Sequence, residues 1–429
     1  GTYIIHFSVP NLLLTTVVQR AGFPIRGRGD CEVLSDLILE RTDEFLSYNT
    51  LRRMFGLAQP VKPRRQTLDV LAAYVGYRDY QEFCSSSPTV QYWRVKEVVF
   101  SQLEQGQVQY AFRIVGDLRD QEHRMDLVIQ LCRELLLARR EQDVLAFFQS
   151  RECEVLKWNY TFIGHFGNSI GLLFRQLGLH NPQFLTSSNF LTSVYLIHVD
   201  YSALNGYYGF WTDIVAKMKV NLELDVFSGC VQRLRSWLAG EVPVAATWME
   251  EDLSGLHPIL LSRVFSVEWL TGAPGDEGKG RRIWERIHGS GSMASVPISQ
   301  THEIHMLAIM TGDAALMKFV VEDLAVQEQG LQHFEEYDLN LRILCKAMLA
   351  VLKGEEEAAL KWVNRFQLEH IRYGYREVVE LFWLRLQQEV RTPDEQRAFR
   401  MEQLRQRLDF SRYTSAWLSG YFPGPTQLN

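Results

Sequence analysis

The chain has 429 residues, too many for one ordinary core, so two or three compact units are expected. Hydrophobic residues make up 46% and charged residues 22%, the balance of a globular protein, which excludes wholesale disorder. The net charge of −6 excludes a protein coated throughout in basic residues for nucleic acid, while leaving room for a local basic patch.

Six cysteines (Cys31, Cys84, Cys132, Cys153, Cys230 and Cys345) include no CxxC pair, so neither a zinc site nor a redox dithiol is suggested, and no cofactor is expected. Their scatter suits buried thiols in a reducing compartment, which points to a cytoplasmic protein. No run of about 18 apolar residues occurs, so no membrane span is expected. The opening stretch from Tyr3 to Val18 is apolar but lacks a basic leader, so a signal peptide is not expected either.

In chain order, residues 1–30 are mixed. They hold one expected strand, Tyr3 to Ser8, and end in Arg26-Gly27-Arg28-Gly29-Asp30. Residues 31–84 read as a small helical module. Glu32 to Phe45 has helical spacing, with Leu34, Leu37, Ile38 and Phe45 on the inner face. Ser47 caps a second helix, Tyr48 to Phe55, stopped by Gly56. After the basic loop Pro60-Val61-Lys62-Pro63-Arg64-Arg65, Thr67 caps a third helix, with Leu68, Leu71, Ala72 and Val75 inward and Gly76 as its stop. From Ser47 through Leu68 there is no acidic residue, yet Arg52, Arg53, Lys62, Arg64 and Arg65 all fall there. With Leu51 and Met54 facing the core, Tyr48, Asn49, Arg52 and Arg53 share the outer face. Arginine pairs bidentately with guanine and asparagine with adenine, and the other cations suit phosphates.

The pattern Thr67-Leu68-x-x-Leu71-Ala72-x-x-Val75-Gly76-Tyr77-x-x-Tyr80-x-x-Phe83 resembles the final two helices of the lambda-repressor-like (Cro/CI-type) helix-turn-helix family. Ser47-x-x-x-Leu51-x-x-Met54-x-Gly56 resembles that family's recognition helix. The stretch from Leu34 to Leu51 is longer than the family's and lacks its turn glycine. The resemblance covers about 50 residues and implies double-stranded DNA as partner, with Tyr48 and Asn49 reading bases and a homodimer matching palindromic sites.

Residues 85–90, with Ser85-Ser86-Ser87-Pro88, read as a linker. From 91 to 429 amphipathic helices follow one another. Met306 to Asp313 followed by Ala314 to Leu324, and Met348 to Glu355 followed by Glu356 to Phe366, repeat one order: apolar helix, Gly-acidic turn, apolar helix. Similar pairs are expected at Val95–Leu118 with Met125–Phe148, and at Leu191–Val199 with Phe210–Val220. A period near 40 residues with two helices per unit is the signature of an α-solenoid and resembles tetratricopeptide-type arrays. The expectation is thus an all-α chain, a helix-turn-helix-like module carrying helical hairpins that bind a peptide or protein. Tyr195, Tyr201, Tyr207, Tyr208 and Trp211 are the candidates for a ligand groove, against a reading as core aromatics.

Catalytic motifs are weak. Gly167-Asn168-Ser169-Ile170-Gly171 matches G-x-S-x-G, but its flanks read as helix where a nucleophile elbow needs a strand. His302-Glu303-Ile304-His305 spaces its histidines by three rather than four, and reads as a helix-surface pair. Gly278-Lys279-Gly280 reads as a turn opening a helix, and Glu355-Glu356-Glu357 as acidic residues at a helix start. No enzymatic activity is expected. The leading expectation is a transcriptional regulator; the alternative is a non-catalytic interaction scaffold.

Overall fold

A computed structural model describes residues 11–59, 61–85, 88–118, 120–153, 160–246, 248, 253–272, 278–289, 296–328 and 335–422. They are overwhelmingly helical, and the chain divides into two units, Gly1–Ile197 and His198–Asn429. The strand expected from Tyr3 to Ser8 lies outside the described residues.

Unit one opens with α1 (Asn11–Ala21), α2 (Arg28–Thr42), α3 (Tyr48–Met54), α4 (Arg65–Tyr74) and α5 (Tyr80–Ser85). Leu13, Leu14 and Val17 of α1, Leu34 and Ile38 of α2, Leu51 and Met54 of α3, and Val70 and Leu71 of α4 form their buried core. Here two expectations are corrected. α2 stops at Thr42 because Asp43 takes the left-handed conformation, φ 56°, and its N–H closes on Leu39 O. The chain therefore leaves the helix before Phe45, which is 64% exposed, and Leu46 takes the inward place. The Ser35 hydroxyl donates to Leu46 O and fixes that turn. The third helix starts at Arg65, two residues before Thr67, and its inner face is Val70, Leu71, Ala72 and Tyr74; Leu68 and Val75 are only half-buried.

Of the expected linker, Ser85 closes α5 and Pro88 to Val90 open α6 (Pro88–Glu104), while Ser86 and Ser87 lie outside the described residues. Proline suits a first helical turn, where its missing N–H has no partner to lose. α7 (Val108–Gly116), α8 (Gln121–Leu137), α9 (Glu141–Gln149) and α10 (Tyr160–Leu177) follow, each of α7, α8 and α9 packed on the one before it. Each of the two segments expected to pair, Val95–Leu118 and Met125–Phe148, holds two packed helices, α6 with α7 and α8 with α9. α11 (Ser188–Phe190) runs into a π-type turn over Leu191–Tyr195, so the segment read as a helix from Leu191 to Val199 is shorter and irregular.

Gly167-Asn168-Ser169-Ile170-Gly171 lies in the middle of α10, so Ser169 sits on no elbow. Gly167 has a packing reason instead. A Cβ there would overlap Ser193 O and come within 2.7 Å of the Ile197 side chain. Gly167→Ala is expected to destabilise the protein by about 3 kcal/mol, the scale of an overpacked core, and Ser169→Ala by under about 1 kcal/mol. Thermal melting of the two variants checks this; the opposite ranking would overturn the packing reading.

Unit two contains α12 (Tyr207–Met218), α13 (Leu222–Leu238), α14 (Pro258–Thr271), α15 (Lys279–His288), α16 (His302–Thr311), α17 (Ala314–Lys318), α18 (Glu335–Leu352), α19 (Glu356–Arg365), α20 (Tyr373–Val390), α21 (Glu395–Leu408) and α22 (Ser415–Ser419). The repeated Gly-acidic turns are real hairpins. Gly312 and Gly354 adopt φ 65° and 75°, a region only glycine enters freely, and close α16–α17 and α18–α19. Asp313 accepts the Leu316 N–H and so starts α17, while Glu355 occupies the matching position before α19. α16 packs on α14, α17, α18 and α20, which surround it. Two short strands, β1 (Val296–Pro297) and β2 (Val326–Gln327), pair in parallel; the sequence reading had none there.

Candidate nucleic-acid interface

α3 is positioned by its cap and its inner face. Ser47 Oγ accepts the Thr50 N–H at 3.2 Å, while Leu51 and Met54 are buried against α2. The outer face then follows from helical spacing. Asn49 and Arg53 are exposed and Arg52 is half-exposed, at positions i, i+4 and i+3 of one stripe. Tyr48 is half-buried, and the Arg28 guanidinium covers its ring at 4.7 Å while also reaching Glu32 at 2.8 Å. The Tyr48 ring is therefore part of the module's own packing as well as its surface.

The basic loop and the start of α4 add Lys62, Arg64 and Arg65, all exposed. Arg65 donates to Gln81 Oε1 at 3.2 Å and lies 4.0 Å from Asp69. From Ser47 to Ser85 six cations (Arg52, Arg53, Lys62, Arg64, Arg65 and Arg78) accompany three carboxylates. Each carboxylate is engaged by backbone: Asp69 accepts the Tyr80 N–H, Asp79 the Glu82 N–H and Glu82 the Arg78 N–H. Those backbone bonds, with Arg78 beside it, hold the Asp79 carboxyl below its ordinary range. From Ser47 to Ser85 the carboxylates thus build turns while most of the cations are exposed; α2 and the turn after it carry exposed carboxylates of their own at Asp36, Glu40, Asp43 and Glu44.

The aromatic cluster behaves differently. Tyr195 is fully buried in unit one; Tyr201, Tyr208 and Trp211 are at most 3% exposed in unit two. Tyr207 is half-buried, with its hydroxyl on Asp200 at 2.9 Å. Tyr195, Tyr201, Tyr208 and Trp211 are core rings, placed there by the large apolar area each removes from water, so they line no open groove; Tyr207 alone of the five reaches the surface.

A second polar constellation, missed by sequence reasoning, lies inside unit two. Every residue of α16 from His302 to Met310 is buried, so the histidine pair is not on a helix surface. Glu303 accepts from Arg263 Nη2 at 2.6 Å, from Tyr375 Oη at 2.7 Å and from Tyr201 Oη, and His302 Nε2 lies 3.1 Å away. Burial pushes the Glu303 carboxyl up, but Arg263 and His302 outweigh it and hold the group far below the carboxylate range. Burial and the Glu303 charge together push the Tyr201 and Tyr375 hydroxyls well up. Asp338 pairs with Arg372 at 3.0 Å, also fully buried on the carboxylate side. The cavity beside Arg263 and Glu303 is about 20 Å³, room for one water. Its walls include Cys230, whose thiol burial pushes up to about 12, so it is not a nucleophile at neutral pH. This network is closed, self-satisfied and fit for holding helices together.

Among the described residues no group of three His, Cys, Asp or Glu is arranged to hold a metal ion, and no helix is long and apolar enough to cross a membrane. Comparison of the chain with protein-family models, curated proteins and solved structures returns no match.

Proposed function

We propose that the protein binds double-stranded DNA through the α2–α5 module, as a regulator whose helical hairpins bind a protein or peptide or pair two copies. The observation that supports it is the local charge balance from Ser47 to Ser85: six cations, exposed or half-exposed and mostly around α3 and the start of α4, accompany three carboxylates that each accept a backbone N–H. Asn49, Arg52 and Arg53 share a helix stripe that suits a major groove, where arginine and asparagine read base edges. Lys62, Arg64 and Arg65 suit phosphates, which carry most of the affinity and make it salt-dependent.

The test is binding of the full chain to random-sequence duplex DNA across a salt series, followed by selection of preferred sequences. Arg52→Ala combined with Arg53→Ala is expected to weaken binding more than tenfold and flatten the salt slope by about two. Sedimentation of the free and DNA-bound protein tests the pairing of two copies. Absence of DNA binding at low salt, or binding that ignores the double substitution, overturns the reading and leaves a hairpin scaffold for protein partners.

A further inference from the structure

Exposed or half-exposed cations also occur on α6, at Arg94 and Lys96. In the first half of α6, Trp93 is 59% exposed, second only to Phe45 among the described large aromatic side chains of unit one. Val95, Val98 and Val99 take the inner face of the helix, which leaves Trp93, Arg94 and Lys96 toward solvent or half so. Lys96 Nζ lies 5.6 Å from the Trp93 ring centroid and 6.0 Å from that of Tyr92. Tyr92 itself stacks on His123 at 4.4 Å and gives its hydroxyl to Asp126. The Arg94 guanidinium covers the Tyr77 ring at 5.3 Å, which fastens this end of α6 to the turn between α4 and α5. Carboxylates are present as well: Glu97 is exposed on the same helix, while Asp126 is taken up by Tyr92 and Gln130.

An exposed indole with a lysine near its ring has a specific complement. Duplex DNA offers its bases' edges but not their faces, which are used in its own stack. Only an unpaired base presents a face to an aromatic ring, and such stacking tolerates any sequence. Lys96, 5.6 Å from the indole centroid, suits a phosphate next to that base. We propose that Trp93, with Lys96, forms a stacking contact for an unpaired base, so that the protein prefers a duplex bearing a single-stranded extension. This rests on the reading of the α2–α5 module as a duplex-binding head and extends its interface along α6.

The experiment uses the full chain and two fluorescein-labelled probes read by anisotropy at low salt: a blunt 20-base-pair duplex, and the same duplex with a ten-nucleotide dT extension. The extension is expected to tighten binding roughly tenfold, the scale of base–aromatic stacking. Trp93→Ala should remove that advantage while leaving blunt-duplex affinity unchanged, and Trp93→Phe should keep most of it. Because Trp93 is exposed, both variants are expected to melt as the parent does. Equal binding of the two probes by the parent, or an advantage that survives Trp93→Ala, overturns the stacking contact alone. Failure of both probes to bind overturns the duplex-binding head together with it.

Discussion

Glu303→Ala is expected to cost about 3–5 kcal/mol, the scale of a broken buried ion pair, and to lower the melting temperature by roughly 10 °C. The loss comes less from the missing carboxylate than from what it leaves behind. Arg263 is 7% exposed, and no other carboxylate contacts it among the described residues. Removing Glu303 leaves a cation in a site from which water is nearly excluded, and strips the acceptor from the Tyr201 and Tyr375 hydroxyls. Those donors come from α14, α20 and the turn at Tyr201, so one side chain on α16 ties four parts of unit two together. The decisive measurement is a double-substitution cycle. Removing both charges, with Arg263→Met and Glu303→Met, should cost clearly less than the sum of the two single changes, because no charge is stranded. Additive costs, or a Glu303→Ala variant that melts within about 2 °C of the parent, would show that the network contributes little.

The parts of this fold legible in the sequence are those written in local code. The hairpins at Gly312-Asp313 and Gly354-Glu355 could be read because a left-handed stop has a residue that signs it, and an acidic residue that starts the next helix follows. The end of α2 could not, because its stop is Asp43, which enters the same conformation without announcing it; Arg139, Lys219 and Asp409 do likewise. The early stop carries the chain out of the helix before Phe45 and leaves that ring exposed. The β1–β2 pair was illegible for another reason: two residues on each side, some thirty positions apart, are brought together by packing and by nothing in their own pattern.

The two polar constellations divide along the same line. The cations around α3 were legible because acidic residues are absent from a continuous stretch, and the structure leaves most of them at the surface. The Glu303 hub was not, since its partners at positions 201, 263 and 375 are distant in sequence. One signal was available. Ile304 and the run Met306-Leu307-Ala308-Ile309-Met310 leave α16 no polar face, and a helix apolar all round is buried, so any charge on it must find a partner. The histidines read as a surface pair were on that helix.

Acid sensitivity beginning near pH 6.5 is the corresponding prediction for His305. Its ring is wholly buried; Nδ1 faces Thr301 O at 2.8 Å, and Nε2 faces Arg342 Nη1 at 3.4 Å. A carbonyl can only accept and a guanidinium only donate, so the neutral ring with its proton on Nδ1 fits both neighbours. Burial first, and the Arg342 charge second, push its pKa down to about 3, while Glu328 beyond Arg342 pulls weakly the other way. The unfolded chain takes up this proton near pH 6.5 and the folded chain does not until about pH 3, so stability is greatest above pH 6.5 and falls as pH drops through that window. By pH 5 the loss from this one residue reaches about 2 kcal/mol, roughly 5 °C in melting temperature. His257 and His288, both held low by burial, add the same sign; Asp338, held high by burial, adds the opposite one as it protonates. The measurement that isolates His305 is therefore the difference between parent and His305→Gln in the fall from pH 7 to pH 5. The variant should start less stable and lose less, and equal losses in the two proteins would show that His305 does not carry the acid response.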